Sequence, residues 1–226
     1  MAREGDGKQG GDRFLFPKWT NRLRELSAIL AIGGLIYVVV ILTLLFGPET
    51  SAIGFSPEQP VPYNHALHVS ELGLDCRYCH NTIEDNAHAA IPPAATCMNC
   101  HSMVKTTSED LAPVRQSFEM NQHATWQRVH DLPDFVYFNH SAHVSSGVSC
   151  LSCHGRIDRM ELVRQEEALT MQWCLQCHRE PDAHLRPREL VTKLDWSPPN
   201  DPIEMGRQLR EAHDISPSTD CSVCHR

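Results

Sequence analysis

Cys150-Leu-Ser-Cys-His154 is one of five copies of the same pentapeptide, Cys-x-x-Cys-His, and the five copies use all ten cysteines. The pattern indicates covalent c-type haem, because the two thiols form thioethers with the porphyrin and the histidine binds the iron. Zinc ribbons and disulfides also pair cysteines, but neither requires a histidine after each pair. The recurring histidine therefore predicts five covalently bound haem c groups.

The predicted attachment residues are Cys76, Cys79, Cys97, Cys100, Cys150, Cys153, Cys174, Cys177, Cys221 and Cys224. The predicted proximal iron ligands are His80, His101, His154, His178 and His225.

Chain length limits the fold that can hold this many haems. The chain has 226 residues, and roughly 35 residues remain per haem once the N-terminal part is set aside, too few for a conventional core around each. We expect the macrocycles to form the core, wrapped by short helices and loops with little regular sheet. The 15 prolines agree with this expectation.

The second informative stretch is Ser27–Phe46, SAILAIGGLIYVVVILTLLF, which lies inside an uncharged run from residue 26 to 48. Twenty mostly apolar residues match one bilayer-spanning helix. A cleaved secretory signal is the alternative, but its apolar region is shorter and ends at an Ala-x-Ala-like site. Only a weak candidate site, Thr50-Ser51-Ala52, follows here. Length and flanks favour a retained transmembrane helix.

Charge predicts the orientation of this helix. Six basic residues precede the span, and no Lys or Arg follows it until Arg77. The positive-inside rule therefore puts the N-terminus in the cytoplasm and the haem part in the periplasm of a bacterial inner membrane. Residues 26–226 carry 14 basic and 24 acidic side chains, a balance that argues against nucleic-acid binding. The acidic surface either attracts a basic redox partner or simply keeps the domain soluble.

The predicted organisation has four parts: a cytoplasmic segment 1–25, a transmembrane helix 26–48, a Pro-rich linker 49–62 and a pentahaem domain 63–226. The domain contains an internal repeat. Tyr63-Asn-His-x-x-His-Val-Ser70 precedes the first haem motif, and Phe138-Asn-His-x-x-His-Val-Ser145 precedes the third. We interpret 63–101 and 138–178 as two copies of one dihaem unit, with the fifth haem alone at 221–225.

A six-coordinate haem needs a second axial ligand, and nine of the 14 histidines lie outside the haem motifs. Two histidines at spacing i, i+3 share one face of a helical turn, so each His-x-x-His pair should serve two different haems. The second repeat has no counterpart of His88 and brings a methionine to that region, although methionine more often fills apolar gaps. The distal candidates are His65, His68, His140, His143, His88, His130 and Met160.

Four stretches of the sequence resemble multihaem cytochromes of the cytochrome c3/c7 type. They are Trp126-Gln-Arg-Val-His-Asp-Leu-Pro133, Phe138–Val144, Cys150–Gly155 and Met171-Gln-Trp-Cys174. With one N-terminal span and five haems, the whole chain resembles the pentahaem, membrane-anchored subunits of bacterial alternative complex III. The resemblance implies a quinol:acceptor oxidoreductase, with iron–sulfur and multi-span subunits as partners and a cytochrome or an oxidase as acceptor.

Three classes of function compete at this point. The first is an electron-transfer subunit of such a quinol-oxidising complex, with no catalytic site of its own. The second is a self-sufficient anchored quinol dehydrogenase that feeds a periplasmic reductase. The third, a multihaem reductase, needs an iron without a distal ligand. The supply of nine further histidines disfavours this third class.

Overall fold

The computed structural model describes residues 18–46 and 52–225. The chain divides at residue 50 into two compact units, which are considered separately. Each of the four predicted parts lies partly outside the described residues: 1–17 of the N-terminal segment, 47–48 of the span, 49–51 of the linker and 226 of the pentahaem domain.

The first unit is dominated by one helix. A 3-10 turn, Lys18–Arg22, leads into α1, Leu23–Phe46. Within it, Leu23–Leu45 has a mean hydropathy of 2.8 and is long enough to cross a bilayer. A signal sequence near the N-terminus can have the same length and composition. Its large apolar side chains are exposed, with Leu30 at 73% and Leu35 at 67%. A helix that is apolar all round needs an apolar surrounding, such as lipid.

The second unit consists of short helices joined by loops. Within residues 52–225, β pairing is limited to an isolated antiparallel bridge between Val148 and Leu185. An apolar N-terminal helix followed by a helical and loop domain confirms the predicted fold class. The α-helices of this unit are α2 Cys76–Cys79, α3 Ala94–His101, α4 Ala112–Glu119, α5 His140–Ser145, α6 Leu151–His154, α7 Met171–Arg179, α8 Pro202–Ala212 and α9 Cys221–Cys224. A π-helical turn covers Ala66–Glu71, and 3-10 turns cover Glu109–Leu111, Ile157–Arg159, Asp182–His184 and Arg188–Leu190.

The apolar core of this unit is thin. The buried hydrophobic side chains among the described residues are Val61, Ile83, Val114, Val144, Met160, Leu185, Val191 and Leu194. A protein interior is normally close-packed, so this short list fits the prediction that bound macrocycles complete the core. The best-buried part lies where the chain returns to the third haem motif: Val191 is fully buried, and its carbonyl accepts from Cys150 N at 3.4 Å and Ser149 Oγ at 3.2 Å.

The two repeats interlock. Ala66 N, in the first His-x-x-His segment, donates to the carbonyl of Met160, 3.1 Å away in the loop after the third haem motif. Conversely, His140 N, at the start of the second segment, donates to Ala87 O at 3.0 Å, in the loop after the first motif. Each His-x-x-His segment is therefore held by a loop of the other repeat.

The described part of the predicted linker lies against the haem domain. Gly54 N donates to Gln165 O at 2.8 Å, and Gln165 N donates back to Phe55 O at 3.0 Å. Ser56 Oγ adds a bond to Val163 O at 2.9 Å. Hydrogen bonds thus attach residues 54–56 to the 163–165 loop.

Helix α8 closes the C-terminal part of the domain over the Asp182–His184 turn. Asp201 caps the helix, because its Oδ1 accepts from Ile203 N at 2.9 Å. Arg210 Nε donates to Asp182 Oδ1 at 2.6 Å. Gly206 is buried at the contact, and a Cβ added there would overlap the backbone of Asp182. Only glycine permits this close approach of helix and turn.

The Gly206 contact predicts that Gly206→Ala destabilises the domain. Because the new methyl group meets backbone, which cannot move aside freely, we expect a loss of about 1–3 kcal/mol in the free energy of unfolding. Guanidinium titration measures it. Gln208→Ala, at an exposed position of the same helix, is the control and should change the value by less than about 0.5 kcal/mol. Equal stability of the two variants would show that the contact does not hold α8.

Candidate haem-binding sites

Each Cys-x-x-Cys-His motif occupies a helical turn. Motifs one, three and five form the single turns α2, α6 and α9, whereas motifs two and four end the longer helices α3 and α7. In the single turns the motif histidine donates its backbone N–H to the carbonyl of the first cysteine, as in His80 N to Cys76 O at 2.8 Å and His225 N to Cys221 O at 2.8 Å. The turn places the two thiols three residues apart on one face. All ten cysteines are free of disulfide bonds.

Four of the five motif histidines share one orientation. In each, Nδ1 lies against a backbone carbonyl, which holds the ring with Nε2 free as the ligand atom. The four contacts are His80 to Ala90 O at 2.9 Å, His101 to Val104 O at 3.1 Å, His178 to Ser218 O at 2.6 Å and His225 to Phe135 O at 3.1 Å. The fifth, His154, faces the side chain of His130, with Nδ1 and Nε2 3.3 Å apart.

The distal candidates of the two repeats are oriented by the same device. His68 Nδ1 lies 2.8 Å from Asn64 O, and His143 Nδ1 lies 2.8 Å from Asn139 O. His140 Nδ1 lies 2.9 Å from Ala87 O in the other repeat. These three rings therefore also keep Nε2 free.

Residues that flank the His-x-x-His pairs support them, and sequence reasoning assigned these residues no role. The Tyr63 ring lies 4.7 Å from His65 and 4.4 Å from His68. Phe138 lies 4.7 Å from His140 and 4.5 Å from His143. The sequence does contain a signal for this supporting role, because the aromatic residue and the asparagine after it recur in both copies of the repeat.

Ring spacing tests whether these histidines fit haem. Two imidazoles that share one iron, with each iron–nitrogen bond about 2 Å long, have ring centroids roughly 6 Å apart. Three distal–proximal pairs match this spacing: His68 with His101 at 6.3 Å, His143 with His178 at 6.0 Å and His140 with His154 at 6.5 Å. The residues present fit the group that the motifs predict.

A fourth pairing is indicated by burial and charge. His65 has a buried Nδ1 without a hydrogen-bond partner among the described residues. Burial, followed by the nearby charges of His80 and His68, lowers the pKa of His65 to about 4. A neutral, buried imidazole beside His80 is suited to bind the iron of the first motif, which makes the pairing equivalent to His140 with His154 in the other repeat.

The remaining distal candidates are His88, His130 and Met160. His88 is a neighbour of His140 and contributes to lowering the pKa of that ring after burial. Met160 is 4% exposed and belongs to the buried core. His225 has the ring of Phe135 beside it, 5.7 Å away. The distal ligand of the fifth motif therefore stays a prediction, with His88, His130 and Met160 as its candidates.

The attachment cysteines of different motifs are neighbours. Burial raises the pKa of Cys79, and the next cause is the charge of Cys97 in motif two. Cys76 and Cys150, in motifs one and three, lie close enough to shift each other's pKa: the neighbour lowers the pKa of Cys76 and raises that of Cys150.

The series continues towards the C-terminus. Burial and then the charges of Cys177 and Cys174, in motif four, raise the pKa of Cys153 to about 12. Burial and then Cys224, in motif five, raise the pKa of Cys174. These proximities connect motif two to one, one to three, three to four and four to five.

No group of three or more His, Cys, Asp or Glu side chains converges as a bare metal site in the part of the chain that the structure describes. Three pairs of imidazoles stand instead with ring centroids 6.0–6.5 Å apart. That arrangement differs from a zinc site, where four ligands surround one ion.

Comparison with known proteins agrees with this geometry. Residues 136–226 match the family described as "Cytochrome c7 and related cytochrome c". A relative in Nitratidesulfovibrio vulgaris (strain Hildenborough), the "Menaquinone reductase, multiheme cytochrome c subunit", is 32% identical over 142 residues. The alignment covers 60% of this chain and 66% of the relative, so the chain spans slightly less than two thirds of that protein.

The facing pairs predict the effect of removing one distal ligand. In His143→Leu we expect one iron to lose its second axial ligand while its porphyrin stays attached through Cys174 and Cys177. About one fifth of the haem should then become high-spin and bind carbon monoxide after reduction. Visible and electron paramagnetic resonance spectra measure this change. His123→Leu, at an exposed histidine, is the control; unchanged low-spin content in both variants would remove His143 from the ligands.

Proposed function

We propose that the chain is a multihaem cytochrome c of the cytochrome c7-like type, and that it is the electron-transfer subunit of a membrane-bound quinol:acceptor oxidoreductase. It relays electrons through five haems, one at each Cys-x-x-Cys-His motif. The complex is of the alternative complex III type, and this chain contributes no catalytic site of its own.

One observation carries the proposal: imidazoles stand in facing pairs at 6.0–6.5 Å, with a backbone carbonyl behind most rings. When bound, haem c supplies a one-electron iron couple. The chain's part is to hold both axial positions with rings that cannot swing away. A site closed on both faces passes electrons and has no open position for a substrate, which favours a carrier over a reductase.

The cysteines give the carrier its path. The proximity of cysteines in successive motifs supports a path in the order two, one, three, four, five. The contact of Cys76 with Cys150 joins the two dihaem repeats at the middle of this path. Motifs two and five stand at its ends, so these are the places where we expect electrons to enter and leave.

The first unit supplies the link to the membrane. We propose that residues 26–48 span the bacterial inner membrane once, with 1–25 in the cytoplasm, 49–62 as the linker and 63–226 in the periplasm. The apolar exposed helix α1 supports the span, and the six basic residues before it support the orientation. Because a single helix offers few groups for a quinone pocket, partner subunits should supply that pocket.

Two alternatives make different predictions about direction and autonomy. A self-sufficient quinol dehydrogenase would accept electrons from quinol without partners. The name of the Nitratidesulfovibrio relative, a menaquinone reductase subunit, supports a quinone-linked complex. It also suggests electron transfer in the opposite direction, from the haems to quinone. Multi-span and iron–sulfur partners are expected in either direction.

Purification in mild detergent followed by quinol reduction tests the proposal. We expect the chain to co-purify with multi-span and iron–sulfur subunits, and a menaquinol analogue to reduce its haems in that complex but not in the isolated chain. Reduction of the isolated chain by quinol would favour the self-sufficient dehydrogenase. If haem reduction required a periplasmic donor and quinone then reoxidised the haems, the direction would be reversed.

Reporter fusions test the proposed orientation. A reporter that works only in the cytoplasm should be active when it is inserted before Arg13. A reporter that works only in the periplasm should be active when it is fused after Arg226, because basic residues stay on the cytoplasmic side. A mature protein that begins near residue 53 would show instead that the apolar stretch is a removable signal.

A further inference from the structure

His154 differs from the other motif histidines in what lies behind its ring. Where four rings meet a backbone carbonyl, His154 Nδ1 faces His130 Nε2 at 3.3 Å. The two rings meet edge to face, with centroids 4.3 Å apart and planes 78° apart. Nδ1 and Nε2 lie on opposite sides of an imidazole, so His130 contacts the edge of His154 that points away from the iron position.

The spacing separates this role from that of an axial partner. A shared iron needs ring centroids roughly 6 Å apart, and 4.3 Å leaves no room for it. His140 does have the required spacing to His154, at 6.5 Å, with planes only 11° apart. His140 is therefore placed to face His154 across the iron, while His130 stands behind His154.

The segment that carries His130 is held on its N-terminal side. The amide of Gln59 pairs with the backbone of Gln127, through Gln59 Nε2 to Gln127 O at 3.0 Å and Gln127 N to Gln59 Oε1 at 2.9 Å. Arg128 and Asp131 form an exposed ion pair on either side of His130, 2.7 Å apart. His130 itself is only partly exposed. These contacts hold the imidazole at its place beside His154.

We propose that His130 is a positioning residue for the haem of motif three: its Nε2 accepts the Nδ1–H of His154 and so fixes the orientation and the basicity of that proximal ligand. The inference rests on the proposed haem site at this motif. A neutral imidazole with its proton on Nδ1 presents Nε2 as an acceptor. An acceptor behind a ligating histidine makes the histidine a stronger donor to the metal.

The consequence is specific to the middle of the electron path. A stronger proximal donor stabilises the oxidised iron and lowers the potential of that haem. Motif three is connected to motifs one and four, so His130 sets the potential at the step where electrons pass between the two repeats. The other four haems, with carbonyls behind their proximal rings, are not tuned by a side chain in this way.

Potentiometric titration of the full-length protein in its native complex tests the inference. In His130→Leu the acceptor is lost, so one of the five haem potentials should rise while the number of low-spin haems stays the same. His130→Gln, which offers an amide oxygen, should return that potential towards the wild-type value. His123→Leu removes an exposed histidine from the same segment between the two repeats, residues 102–137, and should leave every haem potential unchanged.

Two results would overturn the inference. Identical potentials in wild type, His130→Leu and His130→Gln would show that the contact does not tune the haem. A new high-spin, carbon monoxide-binding haem in His130→Leu would show that His130 is an iron ligand. If the leucine variant does not accumulate, His130→Gln alone should alter the low-spin resonance of one haem, and an unaltered resonance would count against the proposal. Fewer than five haems by mass in the wild-type chain would instead contradict the proposed function.

Discussion

In the proposed haem sites, an iron held from one side by a Cys-x-x-Cys-His histidine is met from the other side at a fixed distance, and we infer that this requirement shapes the second unit. The gap of about 6 Å between facing imidazoles leaves room for the iron of a flat macrocycle and for little else. Helices that carry the two histidines cannot pack against each other, so few apolar side chains are buried. The backbone instead serves to orient rings, through carbonyls such as Asn64 O, Asn139 O and Ser218 O.

The same requirement explains how the two repeats fit together. A His-x-x-His segment is one short helical turn and cannot be stable alone. Each is fixed by a loop from the other repeat, through Ala66 N to Met160 O and His140 N to Ala87 O. The interlock brings the first cysteines of motifs one and three, Cys76 and Cys150, into contact. Mutual support of the segments and continuity of the proposed electron path thus come from the same packing.

The fold class was predictable from the sequence, because it depends on local patterns of residue type and spacing; the haem motifs and the dihaem repeat were visible in the same patterns and stay predictions. The interlock was not predictable, since nothing in 63–101 alone shows that Ala66 bonds to a loop nearly a hundred residues away. His130 illustrates the same limit. Its residue type made it a candidate ligand, but only tertiary structure distinguishes a ring across the iron from a ring behind the proximal histidine. Tyr63 and Phe138 were visible as repeat positions, yet their contacts with the imidazoles depend on how each turn folds.

Locating the irons by anomalous scattering at the iron absorption edge, in crystals of the haem-loaded protein, tests the central claim most directly. The account predicts five iron peaks per chain in the order two, one, three, four, five. Three of the peaks should lie midway between His68 and His101, His140 and His154, and His143 and His178. Fewer than five peaks, a different order, or irons displaced from these three midpoints would contradict it.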